Sequence, residues 1–133
     1  MTHHFTCRVY YEDTDLAGIV YHANYLKFIE RARSEMVREA GISQSALKSE
    51  QGIVFAVRRM EMDFIAPARF EDDLRVETCL TGVKGASFEL EQVVWRGDER
   101  IYAAQVQVVC LAESGRAVRI PADIRQKLVT FQQ

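Results

Sequence analysis

From His22 to Ala40 the apolar residues Tyr25, Phe28, Ile29, Ala32, Met36 and Val37 recur at three- and four-residue steps. Lys27, Glu30, Arg31, Arg33, Glu35 and Arg38 stand between them. This spacing predicts one amphipathic helix of about 18 residues, roughly 27 Å long at 1.5 Å per residue. Gly41 falls where a left-handed C′ residue would close it. A helix that long carries more apolar surface than a small chain can leave wet, so the other elements must form a broad face to cover it.

The remaining pattern supplies that face. Phe5–Tyr11 alternates as a first strand, with Phe5, Cys7, Val9 and Tyr11 on one side. After the helix, Ser43 is an N-cap for a short helix reaching about Glu50, which Gly52 ends. Strand patterns follow at Ile53–Phe64, Leu74–Leu80, Ser87–Trp95 and Ile101–Leu111. Arg58–Arg59 marks a phase change in the first of these, and Gly97-Asp98 turns the last two. Pro121 opens a C-terminal helix carrying Ile124, Leu128 and Val129. Strands joined by tight links pair antiparallel. The expected fold class is therefore α+β, a five-stranded antiparallel sheet with one long helix, in a single domain over residues 1–133.

Composition narrows the function. The chain has 133 residues, 48% of them hydrophobic and 27% charged, which suits one buried core and excludes a disordered or collagen-like chain. A net charge of −2 argues against a general nucleic-acid binder. No apolar run approaches the roughly 18–20 residues of a membrane span. The start MTHHFTCRVYYEDTD lacks a basic segment followed by an apolar one, so no secretory signal and a cytoplasmic location are expected. Cys7, Cys79 and Cys110 form no CxxC pair and read as free thiols. There is no GxSxG elbow, no GxxxxGK[ST] phosphate loop and no GxGxxG fingerprint. His3–His4 sits on a terminus expected to fray, zinc-site spacings are absent, and no metal is expected.

What remains is the stretch Tyr10–Tyr25 between first strand and long helix. Glu12, Asp13 and Asp15 read either as a solvated acidic turn or as part of a site. The second reading has a physical basis, because this stretch feeds the helix N-terminus, where unpaired N–H groups and the positive dipole end favour developing negative charge. Asp15 and backbone donors near Val20–His22 can then converge on one carbonyl, the first as base or nucleophile, the others as an oxyanion site. His22 reads either as a capping residue or as a polar orienter, and Gly18 as a turn glycine or a point of close backbone approach.

These residues resemble the hotdog-fold acyl-CoA thioesterases of the 4-hydroxybenzoyl-CoA thioesterase-like family, most closely the branch associated with the Tol-Pal system. The resemblance lies in Tyr11-Glu12-Asp13-Thr14-Asp15 and Gly18-Ile19-Val20-Tyr21-His22-Ala23-Asn24-Tyr25. It continues through Glu30-Arg31-Ala32-Arg33, Val57-Arg58-Arg59-Met60, Ala66-Pro67-Ala68-Arg69, Lys84-Gly85-Ala86-Ser87 and Val108-Val109-Cys110. It implies a hotdog, with the sheet wrapped around the long helix, two subunits joining their sheets, active sites at the dimer interface and dimers pairing into homotetramers. It further implies hydrolysis of acyl-CoA, or of acyl carrier protein thioesters, with Asp15 as the catalytic acid group and Tyr11 and His22 beside it. The His22 amide becomes the oxyanion donor. Leu16 departs from the smaller residue or proline common there, a matter of loop shape.

Coenzyme A is then part of the substrate, and no separate cofactor is implied. Its phosphates need local cations, for which Arg58, Arg59 and Lys84 are candidates, while Ser87 can bond along the pantetheine. The plain alternative for these four is ordinary solvated strand ends. Met60, Met62, Phe64 and Phe88 line an acyl channel or simply pack the core. Two further functions stay open on the same fold: an acyl-thioester dehydratase or hydratase, which usually needs a differently placed histidine–acid pair, and a non-catalytic acyl-CoA-binding module, which needs no Asp15.

Overall fold

The computed structural model describes residues 2–132. The elements run β1 (Thr2–Arg8), a 3-10 turn (Tyr11–Asp13), α1 (Asn24–Glu39), α2 (Gln44–Gln51), β2 (Ile53–Phe64), β3 (Asp73–Val83), β4 (Ser87–Arg96), β5 (Glu99–Ala112) and α3 (Ala122–Val129). The five strands form one sheet in the order β1-β3-β4-β5-β2, every neighbouring pair antiparallel. This is the α+β architecture expected of a hotdog, with β1 and β2 left as edges.

The long helix ends as its sequence dictates. Gly41 takes φ 86°, its N–H bonds the Arg38 carbonyl at 3.0 Å, and the Ile42 N–H bonds the Val37 carbonyl at 3.2 Å, the paired bonds of a Schellman close. In α2, Ser43 accepts the Ala46 N–H at 3.2 Å and Gly52 at φ 65° ends the helix. The β2–β5 register shifts between Val57 and Arg59, so Arg58 is the extra residue of a bulge. That single insertion flips the strand's parity and brings Phe55 and then Met60 and Met62 to the core face.

The apolar stripe of α1 is buried against the inner residues of β3, β4 and β5. Tyr25 stacks on Tyr102 with ring centroids 4.7 Å apart. One polar group crosses this layer. Gln92 is fully buried, and its Nε2 donates to the Ile29 carbonyl at 2.9 Å and to Thr78 Oγ1 at 3.0 Å. Its Oε1 accepts from Arg33 Nη1 at 3.0 Å. The side chain therefore ties the sheet to the helix with each of its polar atoms satisfied.

Four expectations differ in detail. β1 begins at Thr2, and its inner side carries His3, Phe5 and Cys7, whereas Tyr11 has left the strand and is 82% exposed. His3 does not fray: it pairs opposite Thr78, is buried, and its Nε2 lies 3.0 Å from Glu39 Oε2. The helix starts two residues later than His22, because bonds from Tyr21 and Asn24 hold the preceding turn outside it. Val129 on α3 points outward, while Ile124 and Leu128 are buried.

Candidate active site

The segment after β1 is built by its own short bonds. Asp13 is buried, and its Oδ2 accepts the Tyr10 N–H at 2.8 Å. The Asp13 carbonyl accepts the Tyr21 N–H at 2.9 Å and the side-chain amide of buried Asn24 at 2.9 Å. The chain between is thus pinned at both ends to one residue. Inside it, Thr14 pairs with Val20, Asp15 N–H bonds the Ile19 carbonyl at 3.0 Å, and Gly18 N–H bonds the Asp15 carbonyl at 3.0 Å. Gly18 sits at φ 80°, a conformation that costs a glycine little and makes this a tight hairpin with a bulge.

Asp15 opens that turn. Its Oδ1 accepts the Ala17 N–H at 2.8 Å, which fixes the side chain, while its carboxylate remains exposed and has no cation paired to it among the described residues. Leu16 at the tip is fully exposed. Nine residues after Asp15, the chain reaches the start of α1. Among the described residues the His22 and Ala23 N–H groups have no hydrogen-bond partner, and both precede the first residue of the helix. They are donors of the kind that gather at a helix N-terminus. The His22 ring lies 4.6 Å from the Tyr21 ring and 6.1 Å edge-on to Phe64.

A second loop braces the hairpin. Val20 N–H donates to the Ala68 carbonyl at 2.8 Å, and Ala68 N–H donates to the buried Tyr25 hydroxyl at 3.2 Å. Arg96 Nη1 reaches both the Pro67 carbonyl at 2.9 Å and Asp72 Oδ2 at 2.8 Å, and the same Oδ2 accepts the Arg69 N–H at 2.8 Å. Burial pushes the Asp72 carboxyl up, but the Arg69 amide and the Arg96 guanidinium together outweigh it and hold the group below its ordinary value. A carboxyl lowered on folding stabilises fully above its unfolded value of about 3.9, and that contribution is lost as pH falls through the lower folded value. Asp72→Asn is therefore expected to lower the melting temperature at neutral pH. The gap to the parent should narrow below about pH 4, as a thermal-melt series across pH would record.

The other sequence candidates stand as follows. The Tyr11 ring stacks on Phe70, 4.4 Å between centroids and 7° between planes, and no contact joins it to Asp15 or His22 among the described residues. Arg58 and Arg59 line a shallow groove on the outer face of the sheet together with Glu61 and Glu89. Arg59 pairs with Glu61 at 2.8 Å, and Lys84, in the β3–β4 turn, pairs with Glu89 at 3.2 Å, so Glu89 links Lys84 to that groove. Ser87 opens β4 and is half-buried. Phe88 is a core residue, while Phe64 is half exposed.

Sequence reading passed over two cations here. Arg125 Nη2 donates to the carbonyls of Lys84 and Gly85, and Arg119 Nη1 would stand 3.8 Å from a Cβ on Gly85. Nothing local in the sequence links them to that turn. The bracing roles of Asp13 and Asn24, both part of the stretch singled out above, were not read there, although an aspartate three residues after the N-cap Tyr10 is a usable capping signal. The thiols of Cys7 and Cys110 are pushed by burial to about 11, which keeps them protonated and unsuited to nucleophilic work.

A five-stranded antiparallel sheet on a long helix, with a tethered carboxylate on the loop that leads to open helix-start amides, is an α+β architecture that known thioesterases share. The chain belongs to the thioesterase superfamily, whose pattern it matches over residues 17–103. It is 45% identical over 105 residues, 78% of each chain, to the acyl-CoA thioester hydrolase YbgC of Escherichia coli O6:H1. It is 44% identical over 107 residues to the acyl-CoA thioesterase YbgC of Haemophilus influenzae, covering 80% of this chain and 79% of that one. Among solved structures, a probable thioesterase from Bartonella henselae superimposes with a TM-score of 0.87 at 38% identity, over 91% of this chain and 100% of that one.

Proposed function

We propose that the chain hydrolyses acyl-CoA thioesters at the loop between Asp15 and the start of α1. The observation that carries this reading is a carboxylate tethered by the Ala17 N–H on a hairpin whose far end leads into unpartnered helix-start amides. The thioester carbonyl oxygen sits on the His22 N–H. Asp15 takes a proton from water as the water oxygen bonds to the carbonyl carbon, or attacks that carbon itself to give a mixed anhydride that water then opens. On either route negative charge develops on the oxygen held by the amide, where the helix dipole favours it. The C–S bond breaks and the pair leaves on sulfur. A thiol pKa of about 8.5 makes thiolate a good leaving group, so the site needs no strong general acid. Tyr11 and His22 orient the carboxylate, the water or the departing thiolate.

The whole chain acts as one domain in the cytoplasm, where its thiols stay reduced. It works as a homodimer at minimum, with dimers pairing into tetramers. β2 supports this: it is twelve residues long, has only β5 as a neighbour among the described residues, and exposes Val54, Val57 and Phe64. Such an edge favours pairing with another chain. A thioester on acyl carrier protein presents the same reacting group and is a second substrate form.

Free-thiol release measured across a panel of acyl-CoAs tests the reading. Thiol release supports it; interconversion of enoyl and hydroxyacyl thioesters without release supports a dehydratase; binding without turnover supports a non-catalytic module. We further propose that Arg58, Arg59 and Lys84 meet the coenzyme A phosphates and Ser87 its pantetheine. Lys84→Ala is then expected to raise KM for acyl-CoA several-fold while kcat stays near the parent value, and an unchanged KM removes Lys84 from the site.

A further inference from the structure

Three hydrogen bonds close a ring around the two open amides. The Tyr21 N–H donates to the Asp13 carbonyl at 2.9 Å, the Asn24 N–H donates to the Tyr21 carbonyl at 2.8 Å, and the Asn24 side-chain amide returns to the Asp13 carbonyl at 2.9 Å. His22 and Ala23 lie inside that ring, and their own N–H groups have no partner among the described residues. The Asp13 carbonyl thereby spends both lone pairs, one on each end of the turn. Asn24 is buried, whereas His22 is exposed and Ala23 half-buried.

Peptide planarity turns this ring into a constraint on one atom. The Tyr21 carbonyl and the His22 N–H belong to the same trans peptide unit and point in opposite directions. Fixing the carbonyl therefore fixes the direction of the N–H. The donor that fixes it is the Asn24 backbone N–H, and Asn24 is in turn held by its side chain on Asp13. The same Asp13 carbonyl stands at the base of the hairpin that carries Asp15, next to Thr14, which pairs with Val20. One side chain thus ties the aim of the His22 N–H to the Asp15 hairpin. The helix start bears the mark of this use. Asparagine is among the best N-cap residues, yet α1 begins with Ala23 at its N-cap and no side-chain cap. Asn24 stands one position further in and turns its amide away to Asp13, so the first donors of the helix stay open. We infer that Asn24 is a positioning residue for the hydrolysis: its bond to Asp13 keeps the Tyr21–His22 peptide from rotating, so that the His22 N–H meets the thioester oxygen while Asp15 faces the carbonyl carbon. This rests on the thioesterase reading above. A misplacement of about 1 Å costs on the order of 10²-fold in rate. The donor's bond strengthens as charge develops on the oxygen, so the loss falls on kcat and not on KM.

The test is a double-substitution cycle on thiol release from whichever of acetyl-, hexanoyl- and benzoyl-CoA the unaltered protein hydrolyses fastest. Asn24→Ala removes the side-chain bond and keeps every backbone group. An ester at the Tyr21–His22 bond removes the His22 N–H and keeps the Asn24 side chain. Asn24→Ala is expected to lower kcat by about 10–100-fold with KM within about twofold of the parent. In the ester-containing chain the same substitution should cost less than about threefold further, because the donor it aims is already gone. A kcat within about threefold of the parent for Asn24→Ala, or a loss carried by KM alone, overturns the inference. So does a full repeat of the loss in the ester-containing chain, which would leave Asn24 a fold-stabilising residue and the oxyanion role of His22 intact. An ester that costs nothing overturns that role and this inference together, and no thiol release from any of the three substrates overturns the hydrolytic reading as well. Should Asn24→Ala fail to fold, Asn24→Ser, which keeps a hydroxyl in the buried space, runs the same cycle.

Discussion

Asp15→Asn lowers kcat by about 10²–10⁴-fold, the usual range for a lost acid–base group, with melting temperature and association state unchanged. The substitution is well isolated by the local bonds. Asp15 Oδ1 accepts the Ala17 N–H at 2.8 Å, and an asparagine Oδ1 accepts the same bond. The Asp15 backbone bonds to Ile19 and Gly18 do not involve the side chain at all. The hairpin therefore keeps its shape, and what is lost is the charge and basicity of the outer carboxylate oxygen. Because the group is exposed and carries no ion pair, removing its charge leaves no buried partner stranded. KM for acyl-CoA should stay close to the parent, since the carboxylate acts on the reacting carbon and not on the coenzyme. Steady-state thiol release, with a thermal melt and a sizing run on the same sample, checks all three expectations. Turnover within about threefold of the parent would refute the assignment of Asp15.

How far the site was readable in advance depends on the range of the interactions that make it. Helix α1, its glycine close at Gly41, the Ser43 cap and the parity flip at Arg58 all follow from neighbours within about four residues, and each was legible. The first strand was shifted. Phe5, Cys7 and Val9 alternate correctly, but Tyr11 continues that alternation only on paper. In the molecule Asp13 takes the Tyr10 N–H and turns the chain into a 3-10 turn. His3 looked terminal, yet pairing with β3, seventy-odd residues away, holds it in the sheet. Gln92 reads as a break in an apolar strand face, and its purpose appears only when the Ile29 carbonyl, Thr78 and Arg33 meet around it. The site divides in the same way. The sequence placed a carboxylate before a helix start, but the bonds that brace its loop, from Asp13, Asn24, Ala68 and Arg96, are side-chain or cross-loop contacts with no spacing to announce them.

The oxyanion assignment makes a sharper demand than the carboxylate, because it names a backbone atom. His22→Ala keeps the N–H and removes only the ring, with its contacts to Tyr21 and Phe64; a loss of less than about tenfold in kcat is expected. His22→Pro removes the N–H itself, and loss of one oxyanion donor costs about 10²–10³-fold. Proline is a reasonable probe here because this N–H bonds nothing among the described residues and lies just ahead of the helix, where a missing donor leaves no helical bond unmade. Should proline disturb the fold, an amide-to-ester exchange at the same bond removes the donor without fixing the backbone angle. The two variants separate ring from backbone: a large loss for proline or ester with a small one for alanine assigns the charge stabilisation to the peptide group. Equal activity in the alanine and proline variants would take the oxyanion away from His22. The neighbouring Ala23 N–H, unpartnered in the same turn, would then be the donor to test.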